Sequence, residues 1–228
     1  MTATRSDSTP RLPIAILISG RGSNMRAIAE RAASGELPVD VRVVVSDQPH
    51  AEGLRIAADL HIPTQTLSPR EFPDRASYDA ALAQLVSRFE PKLIVLAGFM
   101  RILSAHFTGA FQGRILNVHP SLLPDYRGLH THRRVLEAAD LTHGASVHFV
   151  TAELDGGPVI IQALVDVRPG DTEALLSARV QQQEHRIYAQ AIDWLARGRL
   201  ALRDEQVWLD DKPLVGPVIV DARNRKGA

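Results

Sequence analysis

Short runs of branched aliphatic residues alternate along this chain with stretches that place apolar residues every three to four positions. The runs Ile14 to Ser19, Val39 to Ser46, Leu93 to Ala97 and Ile115 to Val118 read as strands, the first with the branched-aliphatic composition of a buried parallel strand, and Pro63 to Leu67 as a shorter one. Between them, Met25 to about Ala33, Gly53 to Leu60 and Tyr78 to Phe89 predict helices. The last of these carries Tyr78, Leu82, Leu85, Val86 and Phe89 on one stripe. Ser104 caps a short helix to Phe111, and Leu129 to Ala139 predicts another. Strands follow at Ser146 to Val150 and Val159 to Val167, joined by the loop Thr151 to Pro158. Asp171 or Thr172 starts the longest helix, which runs to about Ala196. Leu200 to Leu209 predicts a β-hairpin around Asp204 and Glu205.

Strands alternating with helices predict one α/β domain: a mostly parallel central sheet, helices on both faces, and antiparallel additions at the C-terminal end. The pattern assigns residues 1–12 to a disordered polar tail, 13–210 to the domain, and 211–228 to a C-terminal extension that frays from Asp221 to Ala228. There is no internal repeat and no linker long enough to divide the chain.

With 228 residues the chain can bury a full core. Its formal net charge is zero, which removes any broad attraction to nucleic acid or to a membrane surface and leaves only local anion sites. It contains no cysteine, so disulfides and thiolate chemistry are excluded. No apolar run is long enough to span a membrane, and the polar start lacks the apolar middle of a secretory signal, so a cytoplasmic location is expected.

The chemistry concentrates after Ile115. Asn117 and His119 stand two apart on a strand and therefore face the same side, at the end of the strand from which open α/β sheets bind ligands. The amide can donate to a developing oxyanion, and the imidazole can move a proton near neutral pH. A turn-forming role for the pair is the bland alternative. Gly20, Gly22, Ser23 and Asn24 follow a strand and open a helix, an arrangement that binds phosphate or simply makes a tight connection. Met25 stands where a dinucleotide fingerprint has its third glycine, which weakens that reading, although Asp47 after the second strand can still reach a ribose.

Arg75, in a polar loop from Ser68 to Ser77, can grip an anion or simply be solvated. The apolar segment from Gly98 to Leu103 can clasp a flat ring or anchor the next helix. Asp155, followed by two glycines, can lie deep in a cleft or belong to a hairpin turn. Gln181, Glu184 and His185 share neighbouring faces of the long helix, lining a cleft or facing water. A zinc hydrolase built on His130, His132, His143 and His148 is a further option, weakened by the missing acidic ligands.

Taken together, Asn117-x-His119, Ser121-Leu122-Leu123-Pro124 and Asp155 resemble the Rossmann-like formyltransferases that use 10-formyltetrahydrofolate. Ser19 to Asn24, Leu96 to Leu103, Gly128 to His132 and the set Gln181, Glu184 and His185 are similar to the branch that formylates glycinamide ribonucleotide, over about residues 13 to 210. Asp125 departs from the pattern, where a neutral or basic residue is expected. The chain also shows no large appended tRNA-recognition domain and no amino-terminal ligand-sensing domain, which sets it apart from methionyl-tRNA formyltransferases and formyltetrahydrofolate deformylases, the alternative members.

The resemblance implies direct acyl transfer in purine biosynthesis, with Asn117, His119 and Asp155 as catalytic residues. It implies that Gly22, Ser23, Asn24, Gln181 and Glu184 hold the ribonucleotide. Arg75, Met100, Arg101, Ile102, Leu103, Thr151, Ala152, Glu153 and Leu154, together with Asn117, would hold the formyl-folate cosubstrate. No metal is implied. The expected partners are small molecules, with no nucleic acid or membrane, and the chain would be a monomer or weak homodimer.

Overall fold

Ile14, Ala15, Ile16, Leu17 and Ile18 are all fully buried, as a strand covered on both faces must be. They belong to β1 (Leu12–Ile18), the axis of the sheet in a computed structural model that describes residues 10–223. Most of the tail expected over residues 1–12, and residues 224–228 of the frayed end, lie outside the described residues.

The chain continues through α1 (Ser23–Ser34), β2 (Val39–Ser46), α2 (Glu52–Asp59), β3 (Thr64–Thr66), a single 3-10 turn at Pro69–Glu71, α3 (Arg75–Ser87), β4 (Leu93–Leu96), α4 (Ala105–Ala110) and β5 (Ile115–His119). After these come α5 (Thr131–Glu137), β6 (Thr142–Phe149), β7 (Val159–Asp166), α6 (Glu173–Ala196) and four short strands, β8 (Leu200–Arg203), β9 (Gln206–Leu209), β10 (Lys212–Pro213) and β11 (Val218–Asp221).

The main sheet has eight strands in the order β11-β7-β6-β5-β4-β1-β2-β3. Its pairs are parallel except where β6 meets β5 and β7. Strands β8 to β10 form a separate three-stranded antiparallel sheet. The α/β architecture with antiparallel additions is the one the hydrophobic pattern predicts.

Two cores lie on opposite faces. On one, Val180, Ile187, Tyr188 and Ile192 of α6 pack with Leu116, Val118, Val147 and Phe149. On the other, Tyr78, Leu82 and Val86 of α3 pack with Leu17, Val45, Leu96 and Ile115. Because strand residues alternate, Asn117, His119, Ser146 and His148 point away from α6. The helix still reaches through the sheet at one point: the Tyr188 hydroxyl is shared between the carbonyls of Leu96 and Leu116, at 3.0 and 2.8 Å.

The structure differs from the expected elements in four places. Arg75 is not in a loop; Asp74 accepts a bond from the Ser77 N–H at 2.8 Å and starts α3 at Arg75. Strand β6 begins at Thr142 rather than Ser146, because Thr142 to Ala145 pair with β7 in spite of their weak strand pattern. Helix α5 starts at Thr131, since His130 takes a left-handed conformation (φ 58°). Val218 to Asp221 pair with β7 as a sheet strand, so Asp221 is not frayed.

Gly144 lets β6 approach β7 closely. A Cβ there would fall 1.9 Å from the Ala163 carbonyl oxygen and 2.7 Å from a Leu122 methyl. Gly144→Ala should therefore destabilise the protein by about 1–3 kcal/mol in denaturant unfolding. Gly109→Ala, with open space around its Cβ inside α4, should be neutral or slightly stabilising.

Asp171, just ahead of α6, takes two bonds from the Arg179 guanidinium at 2.7 and 2.8 Å, and these pull its carboxyl down to about 2. A carboxyl depressed on folding contributes stability that is complete above its unfolded value, about 3.9, and is lost as pH falls through the folded value. Asp171→Asn should lower the melting temperature near neutrality, with the difference from the parent vanishing as the pH falls to 2.

Candidate active site

The antiparallel run of β6 beside β5 sets Asn117 directly opposite His148 and His119 directly opposite Ser146. Opposed side chains on one sheet face stand within about 5.5 Å at Cβ, close enough for direct hydrogen bonds. Asn117 Nδ2 lies 3.1 Å from His148 Nε2. The loop between β6 and β7 then folds back over this face and brings in Asp155. Its Oδ2 lies 3.4 Å from His119 Nδ1, and its Oδ1 lies 3.8 Å from His148 Nε2. Asn117, His119 and Asp155 thus meet through His148, with the side chains of His119 and Asp155 only 7% and 9% exposed.

The hydrogen bonds assign the protons. His119 Nε2 is 3.0 Å from the Tyr126 carbonyl, which can only accept, so Nε2 carries a hydrogen. Nδ1 is left facing the Asp155 carboxylate. On His148 the order is reversed: Nδ1 donates to the Phe149 carbonyl at 2.9 Å, and Nε2 accepts from the Asn117 amide. Burial pushes His148 toward its neutral form, which keeps that lone pair available. Asn117 is thereby turned with Nδ2 toward β6, and its second N–H remains for another acceptor.

Asp155 itself has a left-handed backbone (φ 47°) and accepts from the Gly128 N–H at 3.0 Å. Two residues on, a Cβ at Gly157 would fall 1.9 Å from the Phe149 carbonyl oxygen, so the loop needs glycine there to lie against β6. The Asp-Gly-Gly run makes a return loop that delivers a carboxylate, and not a tight hairpin turn.

A second polar cluster lies along the same edge of the sheet. β1 and β5 are parallel and separated only by β4, so Ser19 and His119 leave the sheet roughly 10 Å apart. Gly22 is left-handed (φ 74°), and a Cβ on it would fall 2.8 Å from the Gly53 Cα. Only glycine fits, and α1 opens at Ser23 with its first N–H groups turned to the edge. Helix α6 meets this turn: Gln181 Nε2 donates to Ser23 Oγ at 3.0 Å, and Asn24 Nδ2 donates to Glu184 Oε2 at 2.7 Å. Burial pushes the Glu184 carboxyl up, and the Asn24 bond opposes this. Asn24 Oδ1 is buried without a partner. Gly22, Ser23, Asn24, Gln181 and Glu184 are therefore contiguous.

The other candidates divide. Met100 and Ile102 are exposed at 67% and 50% and Leu154 at 46%, whereas Leu103 is buried. Arg101 stacks 4.8 Å above the Tyr78 ring, and Arg75 lies 3.8 Å from Asp79. Glu153 pairs with Arg127 across the gap between two loops, flanked by Thr151 and the exposed Ala152. Asp47 is buried and held by Gln48 at 3.2 Å.

Of the histidines weighed as metal ligands, His132 Nδ1 and His143 Nε2 bond to each other at 3.0 Å. Among the described residues no group of three or more His, Cys, Asp or Glu is set to hold a metal ion. Sequence reasoning assigned no role to Ser146 or Gln162 and treated His148 only as a possible metal ligand. The alternation of β6 pointed to both Ser146 and His148, but their partners depended on knowing which strand lies alongside.

Residues 12–192 match the family model described as formyl transferase. The chain is 50% identical over 201 residues to the phosphoribosylglycinamide formyltransferase of Escherichia coli K12, covering 88% of this chain and 95% of that one. It is 42% identical over 201 residues to the enzyme of the same name from Haemophilus influenzae, with the same coverage. The structure of the phosphoribosylglycinamide formyltransferase of Coxiella burnetii superimposes with a TM-score of 0.88 at 45% identity, covering 92% of this chain and all of that one. On its sequence and its fold, the chain belongs to the formyl transferase family, among the phosphoribosylglycinamide formyltransferases.

Proposed function

We propose that this protein transfers the formyl group of 10-formyltetrahydrofolate to the glycine amine of 5'-phosphoribosylglycinamide, giving formylglycinamide ribonucleotide and tetrahydrofolate in purine biosynthesis. The observation that carries this is the buried meeting of Asn117, His119 and Asp155 at the carboxyl edge of β5, beside the Gly22–Asn24 turn. We place the protein in the cytoplasm as a monomer or weak homodimer acting on small molecules, with no nucleic acid or membrane partner. No helix among the described residues is long and apolar enough to cross a membrane.

The amine attacks the formyl carbon, the carbonyl electrons move onto oxygen, and the bond from carbon to the folate nitrogen then breaks. The attacking nitrogen loses a proton and the leaving nitrogen gains one, so the site needs an oxyanion donor and a proton carrier. Asn117, turned by His148, offers its free N–H to the oxygen. His119 keeps its Nε2 hydrogen on Tyr126 and turns Nδ1, the position that can carry the transferred proton, toward the Asp155 carboxylate. The chain has no cysteine, which fits direct transfer without a thioester on the enzyme. The start of α1, with Ser23, Asn24, Gln181 and Glu184, suits a phosphorylated ribose: N–H donors for the phosphate and a carboxyl for hydroxyls. The exposed Met100, Ile102 and Leu154 suit a flat ring, and Arg75 and Arg101 an acidic tail.

The deciding assay is tetrahydrofolate release from 10-formyltetrahydrofolate with phosphoribosylglycinamide, run beside formylation of methionyl-tRNA and hydrolysis without an acceptor. Turnover should require the ribonucleotide; release at equal rate without it would make the protein a deformylase. Asn117→Ala and His119→Ala should each lower kcat by roughly 100-fold or more while changing KM little, since their contacts strengthen only as charge develops. Ser23→Ala and Asn24→Ala should raise KM for the ribonucleotide several-fold and leave KM for the folate unchanged; the opposite pattern would exchange the two subsites.

A further inference from the structure

Behind His119 lies a buried polar chain with no part in the mechanism above. Ser146, opposite His119 on β6, is fully buried and uses the whole capacity of its hydroxyl. It donates to the Ser121 carbonyl at 2.6 Å and accepts from the Leu123 N–H at 3.0 Å and from Gln162 Nε2 at 2.9 Å. Gln162, opposite Ser146 on β7 and 8% exposed, also donates to the Leu123 carbonyl at 2.8 Å. The turn after β5 is therefore clamped at Ser121 and at both polar groups of Leu123. Ser121 Oγ carries the restraint onward to the Asp125 carbonyl at 2.6 Å. The next carbonyl, that of Tyr126, holds His119 Nε2.

We propose that Gln162 is a positioning residue for His119. With Ser146 it fixes the Ser121–Asp125 turn, which sets the Tyr126 carbonyl, which holds the hydrogen on Nε2 and leaves Nδ1 toward Asp155. It never meets substrate, because it lies two strands from His119 with Ser146 between them. A Gln in mid-strand with both its donors spent on the turn and on Ser146 is otherwise an unneeded polar group in a core. Burying an amide is unfavourable unless its bonds are made, and an apolar residue would fill the same space.

The proposal deepens the formyl-transfer function and rests on it for its kinetic arm only. Gln162→Met keeps the volume and removes both donors. The expected result is a kcat lower by roughly tenfold to a hundredfold, with KM for either substrate within about threefold. The side-chain N–H resonance of His119 Nε2, sheltered by the Tyr126 carbonyl in the parent, should exchange rapidly with water in the variant. Gln162→Glu adds a signature that packing alone does not give: a neutral carboxyl retains one donor and a carboxylate none, so its defect should deepen as pH rises.

Should Gln162→Met fail to fold, Ser121→Ala decides. It leaves the β6–β7 pairing and the Asp125 N–H bond to the Leu122 carbonyl whole, cuts the side-chain link to the Asp125 carbonyl, and should show a kcat loss and an exposed His119 N–H in the same direction. A parent-like resonance together with parent-like kcat in the folded variants would overturn the proposal. If the parent itself showed no formyl transfer, the formyl-transfer function would fail, and the resonance, read without substrates, would still decide the role of Gln162.

Discussion

Strand β6 runs against both its neighbours in an otherwise parallel sheet, and the arrangement of the candidate active site follows from that reversal. Antiparallel strands oppose residues one to one across the ladder. The reversal makes a row of His119, Ser146 and Gln162 and places His148 opposite Asn117. One row supports the turn that holds an imidazole, and the other orients an amide. A parallel β6 would need a crossover connection over one face of the sheet. The antiparallel strand instead allows the short return loop that carries Asp155.

Within that frame, two imidazoles share one carboxylate, and their surroundings give them different work. His148 is buried and pushed toward neutrality, with each ring nitrogen already committed, so it acts as a fixed dipole behind Asn117. His119 has one nitrogen tied to a backbone carbonyl and the other turned to Asp155. Asp155 is held by a backbone N–H from the loop on the far side of the cleft, so its place depends on Gly128 as well as on its own left-handed backbone. The carboxylate thus ties together two loops from different parts of the chain.

The other half of the site depends on a close approach of backbones. Gly22 and Gly53 pack against each other, and the Gly53 N–H donates to the Gly20 carbonyl at 3.0 Å, so the start of α1 is pressed toward α2. Helix α6 crosses the sheet from the opposite end of the chain to meet that turn with Gln181 and Glu184. Its start is secured by the Asp171–Arg179 pair, and its middle by Tyr188 bonded to two strand carbonyls.

Most of this architecture was legible in the hydrophobic pattern: the parallel strands, the long helix capped at Thr172, and the hairpin near the end. The polar candidates Asn117, Asp155, Ser23 and Glu184 stood out because local rules mark them, by alternation on a strand, glycines after an acid, or a turn opening a helix. Thr142 to Ala145 was not legible as a strand, since its extension comes from a neighbour's ladder and not from its own sequence, whereas Val218 to Val220 is a β-branched run whose place beside β7 only the packed sheet reveals. The partners of His148, Ser146 and Gln162 were hidden for a related reason. A sequence determines which residues share a face of one strand, because that period is local. Which strand lies alongside, and in which direction, is decided only when distant segments pack, and at this site that choice brought the partners together.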